Sequence, residues 1–150
     1  MGLSITTVTN SIAALSVTGV TIKDIDEIPT RVDAYDCPIL YPEPVDFVTN
    51  LSVTPMAYGS GGSGPFDVDY DLTYAFLYAQ AGEGSELLSH YSGFVAKVCL
   101  ILDRIIVSDN ITGCVELTWN GIATFGPIYD PTHTSTFHGC HLIFHVKEFE

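Results

Sequence analysis

The sequence has little positive charge. Its 150 residues include five Lys and Arg against eighteen Asp and Glu, which gives a formal net charge of −13. The five cations are scattered singly, at Lys23, Arg31, Lys97, Arg104 and Lys147. They form no basic stripe that could neutralise the phosphates of a nucleic acid. The charge pattern argues against tight DNA binding, although an acidic surface can lie beside DNA without holding it, because like charges repel.

Long apolar runs and paired cysteines are also missing. No stretch approaches the roughly 18 apolar residues of a membrane helix, and the N-terminus lacks the basic and apolar regions of a signal peptide. The four cysteines, Cys37, Cys99, Cys114 and Cys140, show no CxxC spacing. Buried, reduced thiols are the expectation for such a pattern. We therefore expect a protein that is made in a reducing cytoplasm and contacts no membrane.

Signature motifs of enzymes are absent as well. The glycine-rich run from Gly59 to Gly64 is not followed by Lys-Ser or Lys-Thr, so it is not a phosphate-binding loop. The sequence contains no Gly-x-Ser-x-Gly and no His-Glu-x-x-His. The sequence therefore predicts neither an enzyme nor a cofactor. A catalytic site assembled from distant residues stays an open alternative.

The residues that are present predict one folded domain over 1–150. Hydrophobic residues make up 47% of the chain and aromatic residues 11%, but charged residues only 15%. So little charge indicates that part of the surface is buried against other subunits. The alternative is a surface covered by Ser, Thr and Gly.

The first third of the chain predicts short elements. Apolar residues at three- and four-residue steps predict a helix from Ile5 to Leu15, and a brief strand follows at Val20–Ile22. Residues 24–46 are acidic and rich in proline, and they form either an interface loop or a simple connection. Within them, Ile39–Tyr41 predicts a short strand that suits an edge or an end of the sheet.

A strict alternation from Phe66 to Tyr78 is the clearest strand pattern in the chain. With the moderately alternating residues 47–58 and the Gly-Ser run between them, it predicts an extended β-hairpin. The hairpin is either an arm that reaches a neighbouring subunit or a part of its own sheet. The candidate inter-subunit residues are Phe66, Tyr70, Tyr74, Gly61 and Gly62.

The odd positions of the same strand are acidic. Asp67, Asp69 and Asp71 resemble the start of a calcium loop, but the glycine and the distal Glu of that motif are absent. A solvated strand face is the favoured interpretation of these three carboxylates.

The second half of the chain predicts one long helix and more strands. Helical spacing of apolar residues begins after a possible cap at Ser85 and continues to Ile106. A strand to Trp119, a turn at Asn120–Gly121, a strand to Tyr129 and a strand at 137–149 follow. The fold class is therefore α+β: a mixed, mainly antiparallel sheet with one long helix packed on a face, a short N-terminal helix and an extended β-hairpin.

Zinc-binding residue types are concentrated near the C-terminus, at His133, His138, Cys140, His141 and His145. On a strand, His141 and His145 would lie about 13 Å apart, and no spacing matches a zinc template. Ordinary strand histidines are favoured over a metal site, so the metal prediction is none.

The order of elements resembles the small neck and tail-completion proteins of long-tailed bacteriophages, above all the tail terminator family. The resemblance covers nearly the whole chain and is carried by an order of structural strings without a catalytic motif. These are the helix at Ile5–Leu15, the Ile-Pro…Cys-Pro-Ile-Leu-Tyr-Pro segment at Ile28–Pro42, the strand Tyr70–Ala79, the helix end Ile101–Ile106, and the strand pair of Gly121–Glu150.

The resemblance implies a structural virion protein of the tail or neck. Tail terminators form a hexameric ring at the head-proximal end of the tail tube, stop tube growth and meet the head connector. The implied partners are other copies of the chain, the tail tube protein and a head-completion protein, while DNA passes through the ring without specific binding. Asp67, Asp69 and Asp71 are then candidates for the lumen. The alternatives are another neck, head-closure or tail-tube protein, or a monomeric ligand- or metal-binding α+β domain.

Overall fold

The computed structural model describes residues 4–33, 36–55, 66–80, 87–106, 111, 116–132 and 135–149. Within them the chain forms two helices and one mixed sheet of six strands, so the predicted α+β class is confirmed. The elements are α1 (Ile5–Ala13), β1 (Thr21–Ile22), β2 (Ile39–Pro42), β3 (Val48–Pro55), β4 (Phe66–Gln80), α2 (Leu87–Ile106), β5 (Glu116–Tyr129) and β6 (Thr136–Phe149).

Strands β4 and β6 form the centre of the sheet, whose order is β1-β2-β4-β6-β5. Strand β6 pairs antiparallel with β4 along almost its whole length, so β2 and β3 share the other side of β4. Strands β2 and β3 together resemble one strand with an interruption between them. The Glu43 N–H donates to the Thr73 carbonyl at 3.0 Å, and the Thr73 N–H donates to the Phe47 carbonyl at 2.9 Å. The residues between Glu43 and Phe47 therefore loop out of the sheet.

Both helices pack on the same face of the sheet. Because strand side chains alternate, the even-numbered residues of β4 and β6 point to this face. Helix α2 contributes Phe94, Val98, Ile101 and Ile105, spaced so that one side of the helix is buried, and α1 contributes Val8 and Ile12. The predicted packing of the long helix on a sheet face is confirmed. Each large side chain buried here stabilises the fold by about 1.5–3 kcal/mol.

The opposite face is covered over only part of its length. A second apolar cluster forms where Val32, with Ile28 beside it, packs over one end of the sheet. Its strand residues are Ile39, Tyr41, Ala75, Leu77, Ile128 and Phe137. The acidic, proline-rich segment is therefore more than a connection, because it supplies the apolar cover of this end. Beyond that cover, the face carries the partly exposed polar side chains of β4 and β6.

Two predictions about strands were wrong. Asn120–Gly121 forms no turn, because the residues before and after it pair with the same partner strand, β6. The register shifts between Trp119 and Gly121, and Gly121 adopts a φ of 137°, so the glycine accommodates a β-bulge within one continuous strand. The short strand β2 is not at an edge, since β1 pairs with it in parallel on the side away from β4.

A buried carboxylate anchors the N-terminus of α1 to the sheet. Glu148 of β6 is 2% exposed, and its Oε1 accepts the Ser4 N–H at 3.0 Å, while its Oε2 accepts the Tyr70 hydroxyl. A carboxylate is favourable at the N-terminus of a helix, where unpaired N–H groups meet the positive end of the helix dipole. This arrangement ties β4, β6 and α1 together.

We predict that Tyr70→Phe lowers the free energy of unfolding by about 1–3 kcal/mol, because it leaves a buried carboxylate without one of its donors. Tyr74→Phe is the matched control. Tyr74 is equally buried, but its hydroxyl has no hydrogen-bond partner among the described residues. Urea unfolding of the two variants should therefore separate them, and equal stability would contradict the anchoring role of Glu148.

Candidate assembly interface

Strand β3 forms an open edge of the sheet. Among the described residues it pairs only with β4, so one row of its backbone donors and acceptors has no strand partner. Residues 50–54 are all exposed, including Leu51 at 51%. The strand contains no charged residue. Edge strands of monomeric proteins commonly carry charges or prolines that prevent pairing with another chain, and β3 has neither before Pro55.

Strand β5 forms the edge on the other side of the sheet. In the part of the chain that the structure describes, its only strand partner is β6. No charged residue occurs between Leu117 and Tyr129, and Trp119 is 45% exposed. Two register shifts and Pro127 make this edge less regular than β3. The sheet thus presents two edges that face away from each other, and the only charged residue in either edge strand is Glu116 at the start of β5.

An apolar stripe on α2 extends the surface beside β5. Val95, Cys99, Leu102 and Ile106 follow one another at four-, three- and four-residue steps; Val95, Cys99 and Ile106 are exposed, while Leu102 also packs partly against the core. A cleft of about 260 Å³ lies between this stripe and Trp119. Exposed apolar side chains in a contiguous patch are typical of protein–protein contacts, and Trp is a common anchor in such contacts.

The acidic positions of β4 lie on the face opposite the helices, and each of them contacts a basic side chain of β6. Asp67 Oδ2 lies 3.5 Å from Lys147 Nζ, and Asp69 Oδ1 lies 3.1 Å from His145 Nε2. Asp71 is 5% exposed, and its two oxygens bind His145 and Asn50. The expectation that Asp71 lines a lumen is therefore wrong, because its carboxylate is buried within its own sheet. Asp67 and Asp69 are partly exposed ion-pair partners instead of free acids.

The imidazole ring of His145 contacts two carboxylates. Its Nδ1 lies 2.9 Å from Asp71 Oδ1 and its Nε2 lies 3.1 Å from Asp69 Oδ1. The hydrogen bond to Asp71 raises the pKa of His145 most, and the bond to Asp69 raises it further, while partial burial acts in the opposite direction. No pattern in the sequence predicts this arrangement, because it depends on which β4 residues stand opposite His145.

The histidine and cysteine cluster is divided between the two faces of the sheet. Cys140 is buried in the core below the helices, whereas His141 lies on the other face with its Nε2 2.8 Å from Glu43 Oε2. His138 is buried, and His133 lies outside the described residues. Among the residues that are described, no group of three or more His, Cys, Asp or Glu side chains is arranged to hold a metal ion.

The hairpin predicted for inter-subunit contact is part of the protein's own sheet. Tyr70 and Tyr74 are fully buried beneath the helices, so the expectation that their side chains reach a neighbour is wrong. Phe66 begins β4 opposite Pro55, and Gly61 and Gly62 lie outside the described residues. The exposed apolar residues of this region lie on β3 instead. Their signal in the sequence was the absence of charge from Val48 to Pro55.

Comparisons with known proteins give no further constraint: neither the protein-family models nor the curated proteins match this sequence. Within the described residues, no helix is long and apolar enough to cross a membrane.

The thiols differ in their surroundings, which predicts an order of chemical reactivity. Burial raises the pKa of Cys140 to about 12, and burial together with Asp36 raises the pKa of Cys37 to about 12. Cys99 is exposed on α2. Because the thiolate is the reactive form, we predict that a thiol reagent at neutral pH modifies Cys99 of the monomeric chain well before Cys37 and Cys140.

Peptide mapping by mass spectrometry follows each cysteine separately, and the guanidinium-unfolded chain provides the reference in which all four react. Modification of Cys140 as fast as Cys99 in the folded protein would contradict the burial of Cys140.

Proposed function

We propose that this protein is a structural subunit that assembles edge to edge into a ring, and that the ring terminates or joins the tail of a tailed bacteriophage. The observation that carries the proposal is the pair of open edges at opposite sides of one sheet: β3, which has no charged residue, and β5, whose only charged residue is Glu116 at its start. Two such edges on one chain allow each copy to contact two neighbours.

The geometry of the two edges favours a repeating contact between different surfaces. When β3 of one copy pairs with β5 of the next, every copy keeps one edge of each kind available. Such a head-to-tail contact closes into a ring if the rotation between neighbours divides a full turn, and otherwise grows into a filament. A ring is the form that a terminator requires, whereas continued growth is typical of a tail-tube protein.

Exposed apolar side chains are present at both edges. Leu51 and Val53 are exposed on β3, Trp119 is exposed on β5, and the stripe on α2 lies beside Trp119. Main-chain hydrogen bonds along an edge supply affinity, and side chains that bury apolar area supply specificity. The low charged fraction of 15% agrees with a surface that is partly buried in an assembly.

The resemblance to tail terminators supplies the more specific part of the proposal. It implies that the ring is hexameric and contacts the tail tube on one side and a head-completion protein on the other. The net charge of −13 supports passage of DNA through the ring without tight binding.

We expect light scattering of the purified protein, over a concentration series, to give one discrete mass that is a small multiple of 16.2 kDa. Leu51→Lys should shift the protein to the monomer, since a lysine on an edge strand opposes pairing with another strand. Thr7→Lys is the matched control, because Thr7 is exposed on α1 and belongs to neither edge strand. Circular dichroism checks that all three chains are folded.

The outcomes separate the alternatives. A mass that grows without limit would favour a tail-tube protein, and a ring that survives Leu51→Lys would remove β3 from the contact. A monomer at every concentration that also fails to bind phage tail tubes would contradict the proposed function.

A further inference from the structure

We propose that protonated His145 acts as a pH-dependent latch that fixes the bulge of edge strand β3 through Asp71 and Asn50. The inference goes beyond edge-to-edge assembly, because it concerns a device within a single chain.

The hydrogen bonds of His145 require both ring nitrogens to donate. An ionised carboxylate has acceptors only, whereas a neutral imidazole has one donor and one acceptor. Asp71 Oδ1 faces Nδ1 at 2.9 Å and Asp69 Oδ1 faces Nε2 at 3.1 Å, so the imidazolium is the form that satisfies both contacts. Asp71 stands directly opposite His145 in the β4–β6 register, and Asp69 is two residues away on the same face.

Asp71 also contacts β3. Its second oxygen, Oδ2, accepts the side-chain amide of Asn50 at 2.8 Å. Asn50 has a φ of 55° and lies where the β3–β4 register shifts, between Thr49 and Ser52. Asn tolerates this left-handed conformation better than most residues, although at some conformational cost. The chain of contacts therefore runs from β6 through β4 to the bulge of β3.

The charged groups around His145 favour its proton. Strand β4 presents Asp67, Asp69 and Asp71, and strand β5 presents Glu116 opposite Lys147. Lys147 is the opposing cation on β6, but its Nζ lies 3.5 Å from Asp67 Oδ2. Farther along the same face, His141 pairs with Glu43 at 2.8 Å. Carboxylates thus outnumber cations in the neighbourhood of His145.

Loss of the proton weakens the latch, because only one of its two carboxylates then keeps a donor. A neutral ring can donate to only one of the two carboxylates, and its other nitrogen then directs a lone pair at the second. Because the pKa of His145 is raised in the folded chain, its contribution to stability is fully present below the ordinary value of 6.5. That contribution is lost as the pH rises through the raised value. The bulge of β3 should therefore loosen as the pH rises through the raised pKa of His145.

The direct test combines two measurements on the intact chain. Nitrogen-15 NMR of the histidine rings should show both nitrogens of His145 protonated at pH 6.5 and a titration midpoint above that pH. Hydrogen exchange of the peptide that covers 48–55, corrected for the intrinsic effect of pH, should show protection that falls about threefold or more across this titration.

Three variants identify the route of coupling. His145→Gln should remove the pH dependence of β3 protection. Asn50→Gly accommodates the positive φ but lacks the amide, so His145 should still titrate above 6.5 while β3 no longer responds. Lys147→Gln is the matched control, since it removes a cation from the same face without touching Asn50, and the response of β3 should persist.

A His145 midpoint at or below 6.5, or an unchanged pH response of β3 in His145→Gln or Asn50→Gly, would overturn the latch. The ring titration and the exchange are measured within one chain, with the mass followed by light scattering. A protein that stays monomeric and fails to bind phage tail tubes would therefore contradict the proposed function, whereas the latch is decided by the ring titration and the exchange alone.

Discussion

The long antiparallel pairing of β4 with β6 is the constraint on which the rest of the structure depends. It runs from Asp67 opposite Phe149 to Gln80 opposite Phe137. This register determines on which of the two faces of the sheet each side chain of both strands lies. One face carries the aromatic and aliphatic side chains that pack against α1 and α2. With β4 and β6 in the centre, the shorter or more irregular strands lie outside them, and β3 and β5 become edges. The candidate assembly surface is therefore a consequence of the central pair.

Local patterns were sufficient to predict the elements but not their partners. The alternation from Phe66 to Tyr78 and the helical spacing up to Ile106 depend on neighbouring residues alone, and both predictions are confirmed. Asn120–Gly121 has the chemistry of a turn, yet a bulge forms there because β6 is long enough to pair with both sides. The burial of Asp71 could not be predicted, since it requires the register that places His145 opposite it.

The distribution of charge agrees with a role for β3 and β5 in assembly. The segment 24–46 contains seven acidic residues, namely Asp24, Asp26, Glu27, Asp33, Asp36, Glu43 and Asp46. The carboxylates of β4 are compensated by His145 and Lys147 across the strand pair. The two edges carry almost no charge. In our proposal, most of the negative charge therefore lies outside the two edge strands, and His145 contacts the bulge of β3 through Asp71 and Asn50.

Cross-linking of the two edges tests the central claim most directly. A chain with Ser52→Cys on β3 and Thr118→Cys on β5, in a Cys99→Ser background, places one thiol on each exposed edge. Edge-to-edge assembly predicts that a short bifunctional thiol reagent joins β3 of one copy to β5 of the next. The products should form a ladder that ends at a fixed number of copies, and the background chain should give no ladder. Monomer alone, or links only between identical positions, would contradict the account.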